Sequence, residues 1–145
     1  MSFSGNRSAS ASFVSPVSFE EKEDHFVIRN GVRCAGVHLI VDLYEAERLD
    51  DINHIEKTLR QCVLKSGATL LHLHVHPFEI NNGISGVAVL AESHISIHTW
   101  PERGYVALDI FMCGNANPDA CIPVLREAFN PKRVEVKELL RGSTT

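Results

Sequence analysis

The sequence predicts an α+β two-layer sandwich, a mainly antiparallel sheet with two helices on one face. Three observations predict it. Short runs of β-branched and apolar residues recur after residue 34. Two intervening segments carry apolar residues at helical spacing. The elements follow the order β-α-β, three linked strands, then α-β, which packs most simply with both helices over one sheet face.

Gly36–Tyr44 is rich in β-branched and apolar residues and reads as a buried strand. Asp50 or Asp51 caps a helix running to about Ser66, with Ile52, Ile55, Leu59, Cys62 and Val63 on one face. Glu56 and Arg60 form an i,i+4 pair on its surface, and Gly67 ends it. Ala68–His76 is a second strand, and Phe78–Gly83, with Asn81-Asn82-Gly83, a loop. Gly86–Ala91, His94–Thr99 and Tyr105–Met112 are three further strands, the last two punctuated by Pro101-Glu-Arg-Gly104. Asn117-Pro118 opens a helix with Cys121, Val124, Leu125 and Ala128 on one face, and Pro123 is expected to kink it. Arg133–Leu139 is the last strand.

The 145 residues, 44% of them apolar, suit one domain. Residues 1–33 stand apart, with seven serines before residue 19 and then Glu20-Glu21-Lys22-Glu23-Asp24. They read as a mobile N-terminal extension with Phe13, Phe19 and Phe26-Val27-Ile28 as docking points, and residues 34–145 as the folded domain. A net charge of −4 provides no basic footprint for nucleic acid. No apolar run is long enough to cross a bilayer. No basic start and apolar stretch marks a secretory signal, so a reducing, cytoplasmic location is expected. The cysteines form no C-x-x-C pair; Cys34, Cys62 and Cys121 are expected to be buried free thiols, and Cys113 is a candidate for chemistry.

Eight histidines are many for this length. His72, His74 and His76 alternate with Leu71, Leu73 and Val75, so they share one strand face. Three imidazoles can bind a metal, but neighbours on one strand stand roughly 7 Å apart, and a half-polar sheet face is the simpler account. No metal site is assigned.

Reactive groups concentrate between Gly83 and Gly114. Ser85, Ser93, His98, Trp100, Glu102 and Cys113 interrupt otherwise good strands, and such groups are costly in a sheet core unless paired or used. Three chemistries compete. Ser93 can be a hydrolase nucleophile with His98 as base, although no Gly-x-Ser-x-Gly elbow surrounds it. The histidines can hold a metal. Or Ser93 can attack the carbonyl of Glu92, with the ester then eliminating to cut the chain and leave a pyruvoyl group.

Ser85-Gly86, Glu92-Ser93-His94, His98-Thr99-Trp100-Pro101-Glu102, Gly104-Tyr105, Asp109 and Cys113-Gly114 occur in one order and spacing. This pattern closely resembles the processing and active-site region of prokaryotic pyruvoyl-dependent S-adenosylmethionine decarboxylase proenzymes. Looser similarity runs from Gly36 through Leu139. The Ser-rich extension lies outside the family core, and the Phe78–Asn82 loop is one residue longer than in short thermophilic relatives.

The resemblance implies cleavage between Glu92 and Ser93 into a β chain of residues 1–92 and an α chain of residues 93–145. Ser93 becomes a covalent pyruvoyl group that forms a Schiff base with substrate, and no pyridoxal phosphate is needed. His98 handles the processing proton, Ser85 supports the processing intermediate, and Cys113 is the catalytic proton donor. Glu102 binds ribose hydroxyls, while Phe78 and Trp100 stack on adenine, Trp100 coming from the partner in a homodimer of αβ protomers. The expected reaction decarboxylates S-adenosylmethionine for spermidine-type polyamine synthesis. Arginine or ornithine is the alternative substrate within the same chemistry. A non-catalytic, His-rich metal-binding dimer is the alternative of a different class.

Overall fold

The computed structural model describes residues 26–143. Its six-stranded sheet is built from β3 (Gly36–Tyr44), β4 (Leu70–Pro77), β5 (Ile84–Leu90), β6 (Ser93–Trp100), β7 (Tyr105–Met112) and β8 (Arg133–Arg141), after a hairpin of β1 (Val27–Arg29) and β2 (Val32–Cys34). The sheet order is β4-β5-β6-β7-β3-β8, with every neighbouring pair antiparallel. Helices α1 (Ile52–Ser66) and α2 (Cys121–Phe129) cover one face, as the α+β sandwich requires.

Strand alternation decides which face each residue serves. Val37, Leu39, Val41 and Leu43 of β3 point to the helices, as do Val106, Leu108, Ile110 and Met112 of β7 and Ile95 and Ile97 of β6. They meet Ile55, Leu59, Cys62 and Val63 of α1 and Cys121, Leu125 and Phe129 of α2 in one core. The opposite face is open and bears the polar and aromatic alternates, among them His38, Asp109, His94, His98 and Trp100. Gly36 opens β3 because a Cβ there would stand 2.8 Å from the Met112 carbonyl and the Phe111 ring.

Asp51 caps α1 by accepting from the His54 amide at 3.1 Å, and Gly67 ends it in the left-handed region. Asn117 instead caps a 3₁₀ turn, Pro118–Ala120, so α2 begins only at Cys121. That delay corrects the expected kink: Pro123 falls in the first turn of α2, where its missing N–H has no intrahelical partner to lose. Cys34, Cys62 and Cys121 are fully buried free thiols. Cys62 and Cys121 each direct a thiol to the other's carbonyl, joining α1 to α2.

A second correction concerns the domain boundary. Residues 27–34 form a hairpin rather than part of a mobile extension. Its turn is Asn30-Gly31, with φ of 54° and 78°, the sequence suited to the tight turn that antiparallel strands favour. Arg29 ties the hairpin to Asp119 at 2.6 Å and Glu138 at 2.9 Å, while Val27 packs on the core. Phe13 and Phe19 lie outside the described residues. No helix among the described residues is long and apolar enough to cross a membrane.

Candidate active site

The predicted site residues fall into two groups at opposite ends of β6. At its start, Ala91 and Glu92 link β5 to β6 in a two-residue turn, with Leu90 paired to Ser93. Glu92 has φ 61°, a conformation that costs a non-glycine residue about 1–2 kcal/mol. The peptide bond expected to break therefore follows a backbone-strained residue. Across the gap, the Cys113 amide donates to Ser93 Oγ at 3.2 Å. Burial pushes the half-buried Cys113 thiol above its ordinary pKa, and the Glu92 carboxylate adds to this against an opposing hydrogen bond with Ser93. A thiol so placed keeps its proton at neutral pH and can donate it.

At the far end, Ser85 Oγ hydrogen-bonds His98 Nδ1 at 2.9 Å, a contact set by their direct pairing across β5 and β6. Trp100 follows two residues on, its ring 6.4 Å from that of His98. Phe78 stands edge-on to His76, with ring centroids 4.9 Å apart. His76, Phe78, Ser85, His98, Thr99 and Trp100 line a cleft of about 580 Å³. Glu102 sits exposed on the following 3₁₀ turn, outside the cleft lining. A larger groove of about 990 Å³ between α1 and α2, lined by residues such as His54, Lys57 and Val124, contains neither reactive group.

The structure does not bring Ser93 and His98 together within one chain. Five residues along a strand span about 17 Å, and an odd offset puts their side chains on opposite faces. Phe78 and Trp100, by contrast, share one cleft in the same chain, so no second copy is needed to unite those two.

The strand histidines His72, His74 and His76 do not converge. Among the described residues, the metal-type donors that do converge are His38, His94 and Asp109, within 4.8 Å of one another. Sequence reading missed this group because His38 and Asp109 are 71 residues apart and meet only through the β3–β7 pairing. Burial works against ionisation of Asp109, but donors from Ser96, His38 and His94 outweigh it and hold its pKa below the usual carboxylate value.

Residues 37–142 match the model of the S-adenosylmethionine decarboxylase family. The chain is 49% identical over 112 residues to the S-adenosylmethionine decarboxylase proenzyme of Thermomicrobium roseum, covering 77% of this chain and 97% of that one. It is 42% identical over 114 residues to the proenzyme of the same description from Thermotoga maritima, covering 77% and 87%. The crystal structure of the adenosylmethionine decarboxylase from Aquifex aeolicus superposes with a TM-score of 0.69 at 32% identity, covering 77% of this chain and 94% of that one.

Proposed function

The chain belongs to the S-adenosylmethionine decarboxylase family, and from that membership we propose that it is a proenzyme that cuts itself at Ser93 and then decarboxylates S-adenosylmethionine. The observation that carries the proposal is the junction itself: a left-handed Glu92 before a serine whose hydroxyl oxygen is held by the Cys113 amide. Ser93 Oγ adds to the Glu92 carbonyl and the C–N bond breaks, leaving an ester and a free amine on residue 93. Loss of the Ser93 α-proton then breaks Cβ–Oγ, and Oγ departs in the new carboxylate of Glu92. Water releases ammonia from the remaining dehydroalanine, giving the pyruvoyl end.

The donor set fits that group, since its carbon skeleton is Ser93 and a proton-bearing thiol lies beside it. A pyruvoyl group supplies a reactive carbonyl that condenses with a primary amine and accepts the electrons released as CO₂ leaves. Cys113 holds the proton that returns to the substrate carbon. Phe78 and Trp100 offer aromatic faces to an adenine and to a sulfonium cation, and Glu102 offers acceptors to ribose hydroxyls. Buried free thiols suit the reducing cytoplasm. Labelled CO₂ should be released from S-adenosylmethionine and not from arginine or ornithine. Release from either amino acid instead would transfer the proposal to the alternative substrate class.

Separation of the two groups along β6 favours a homodimer with composite sites. In such a dimer, the cleft bearing Ser85, His98, Trp100 and Phe78 serves the Ser93 of a second copy, with Cys113 supplied by the same chain as Ser93. Mixing checks this by complementation. Ser93→Ala and His98→Ala chains, each uncut alone, should yield cut His98→Ala chains when co-expressed, because Ser93→Ala supplies a working His98. No cleavage in the mixture, with mixed dimers verified by native mass spectrometry, would place His98 and Ser93 in one chain's site.

A further inference from the structure

Asp109 sits on the open face of the sheet, apart from both reactive groups, yet it collects more side-chain donors than either. His94 Nε2 bonds Asp109 Oδ1 at 2.7 Å and His38 Nε2 bonds the same oxygen at 3.0 Å. Ser96 donates its hydroxyl to Oδ2. Arg141 Nη1 donates to His38 Nδ1 at 3.0 Å. Arginine only donates and an ionised carboxylate only accepts, so His38 takes its proton at Nδ1's expense on Nε2, and His94 carries one on Nε2 also. Both ring nitrogens that a metal would need are thus N–H donors. The cluster is a closed hydrogen-bond set joining β8, β3, β7 and β6.

His94 directly follows the serine expected to be cut. In the intact chain, residue 93 is held by the Glu92 peptide bond and by the bond from the Cys113 amide to its Oγ. The processing chemistry removes both restraints, because the peptide bond breaks and Oγ leaves with Glu92. Residue 93 then becomes a chain terminus, and termini fray unless tied down. The bonds from His94 and Ser96 to Asp109 survive the cut.

We infer that Asp109 is a positioning residue which, through His94, holds the newly made end of the α chain beside Cys113. This rests on self-processing at Ser93, as proposed above. It makes Asp109 dispensable for cleavage and important only afterwards.

The experiment compares Asp109→Asn in two backgrounds, the cleavable chain and the uncut Ser93→Ala chain. Asp109→Asn should still be cut into residues 1–92 and 93–145. In the cut protein, amides 94–96 should exchange about tenfold faster, since local opening governs their exchange. The kcat for S-adenosylmethionine should fall about tenfold with KM within about twofold, the pattern of a lost positioning contact. In the Ser93→Ala background, exchange of the same amides should be unchanged. Equal acceleration in both backgrounds would reduce Asp109 to a general sheet stabiliser, and no acceleration in the cut form would overturn the inference. His94→Gln, which removes the tethered ring and leaves Asp109 in place, provides the same test where Asp109→Asn does not fold. Zinc bound tightly through His38, His94 and Asp109 would also overturn it. A native chain that is never cut would fail at the earlier step, and mass spectrometry separates that failure from the others.

Discussion

Ser93→Ala is expected to leave a single intact chain of 145 residues under denaturing mass spectrometry, and the native protein is expected to give residues 1–92 and 93–145, the second with a blocked N-terminus. Alanine removes the hydroxyl proposed to add to the Glu92 carbonyl and keeps the strand's first Cβ. Leu90 stays paired to residue 93, and the left-handed Glu92 stays in the turn. The fold should therefore survive, with unfolding monitored in parallel. Cleavage should be abolished rather than slowed, because a peptide bond without an adjacent nucleophile is stable for the lifetime of the preparation. Both fragments appearing unchanged in size would show that Ser93 is not the attacking group, and decarboxylation by the intact variant would remove the need for a pyruvoyl carbonyl.

The second large effect is expected at Cys113. Removing a positioned proton donor costs about 10²–10⁴ in rate, equivalent to about 3–5 kcal/mol of barrier. Cys113→Ala, once cut, should show that loss in kcat with little change in KM. The pH profile adds a check that a packing role would not pass. Burial and the Glu92 carboxylate raise the thiol pKa. The acid form therefore persists through neutrality, and kcat that depends on it declines only as pH rises through the raised value. Cleavage at Ser93 would also remove the Ser93 hydrogen bond that opposes this rise. Cys113→Ala should lose this alkaline decline. A variant retaining both its rate and the decline would assign the proton to another group.

Elements specified by neighbouring residues were legible in the sequence. The β3 run, the Asp51 and Gly67 caps and the apolar stripe of α1 each depend on a few adjacent side chains, and each stands where the pattern puts it. The β1–β2 hairpin was equally local in origin, signalled by Asn30-Gly31. Its strands have only three residues each, too short for an alternating pattern beside the serine- and charge-rich stretch. Strand parity already implied that Ser93 and His98 face apart, while the common order of their motif suggested one cluster. The Asp109 set was not legible, because three strands must be in register before His38, Asp109 and His94 meet. Cys113 was found by chemistry and motif, but the amide it points at Ser93 is a property of backbone placement alone.

A cut between Glu92 and Ser93 divides the six sheet strands three and three. Residues 1–92 retain β3, β4 and β5, and residues 93–145 retain β6, β7 and β8. In the sheet, however, β3 lies between β7 and β8. One fragment is therefore threaded through the other, joined along the β5–β6, β7–β3 and β3–β8 ladders and across the α1–α2 contact. The fragments cannot separate without dismantling the sheet. Once they do separate, recovery requires two molecules to find each other, so a reaction of first order in the precursor becomes second order in the mature protein, and its apparent stability gains a dependence on concentration.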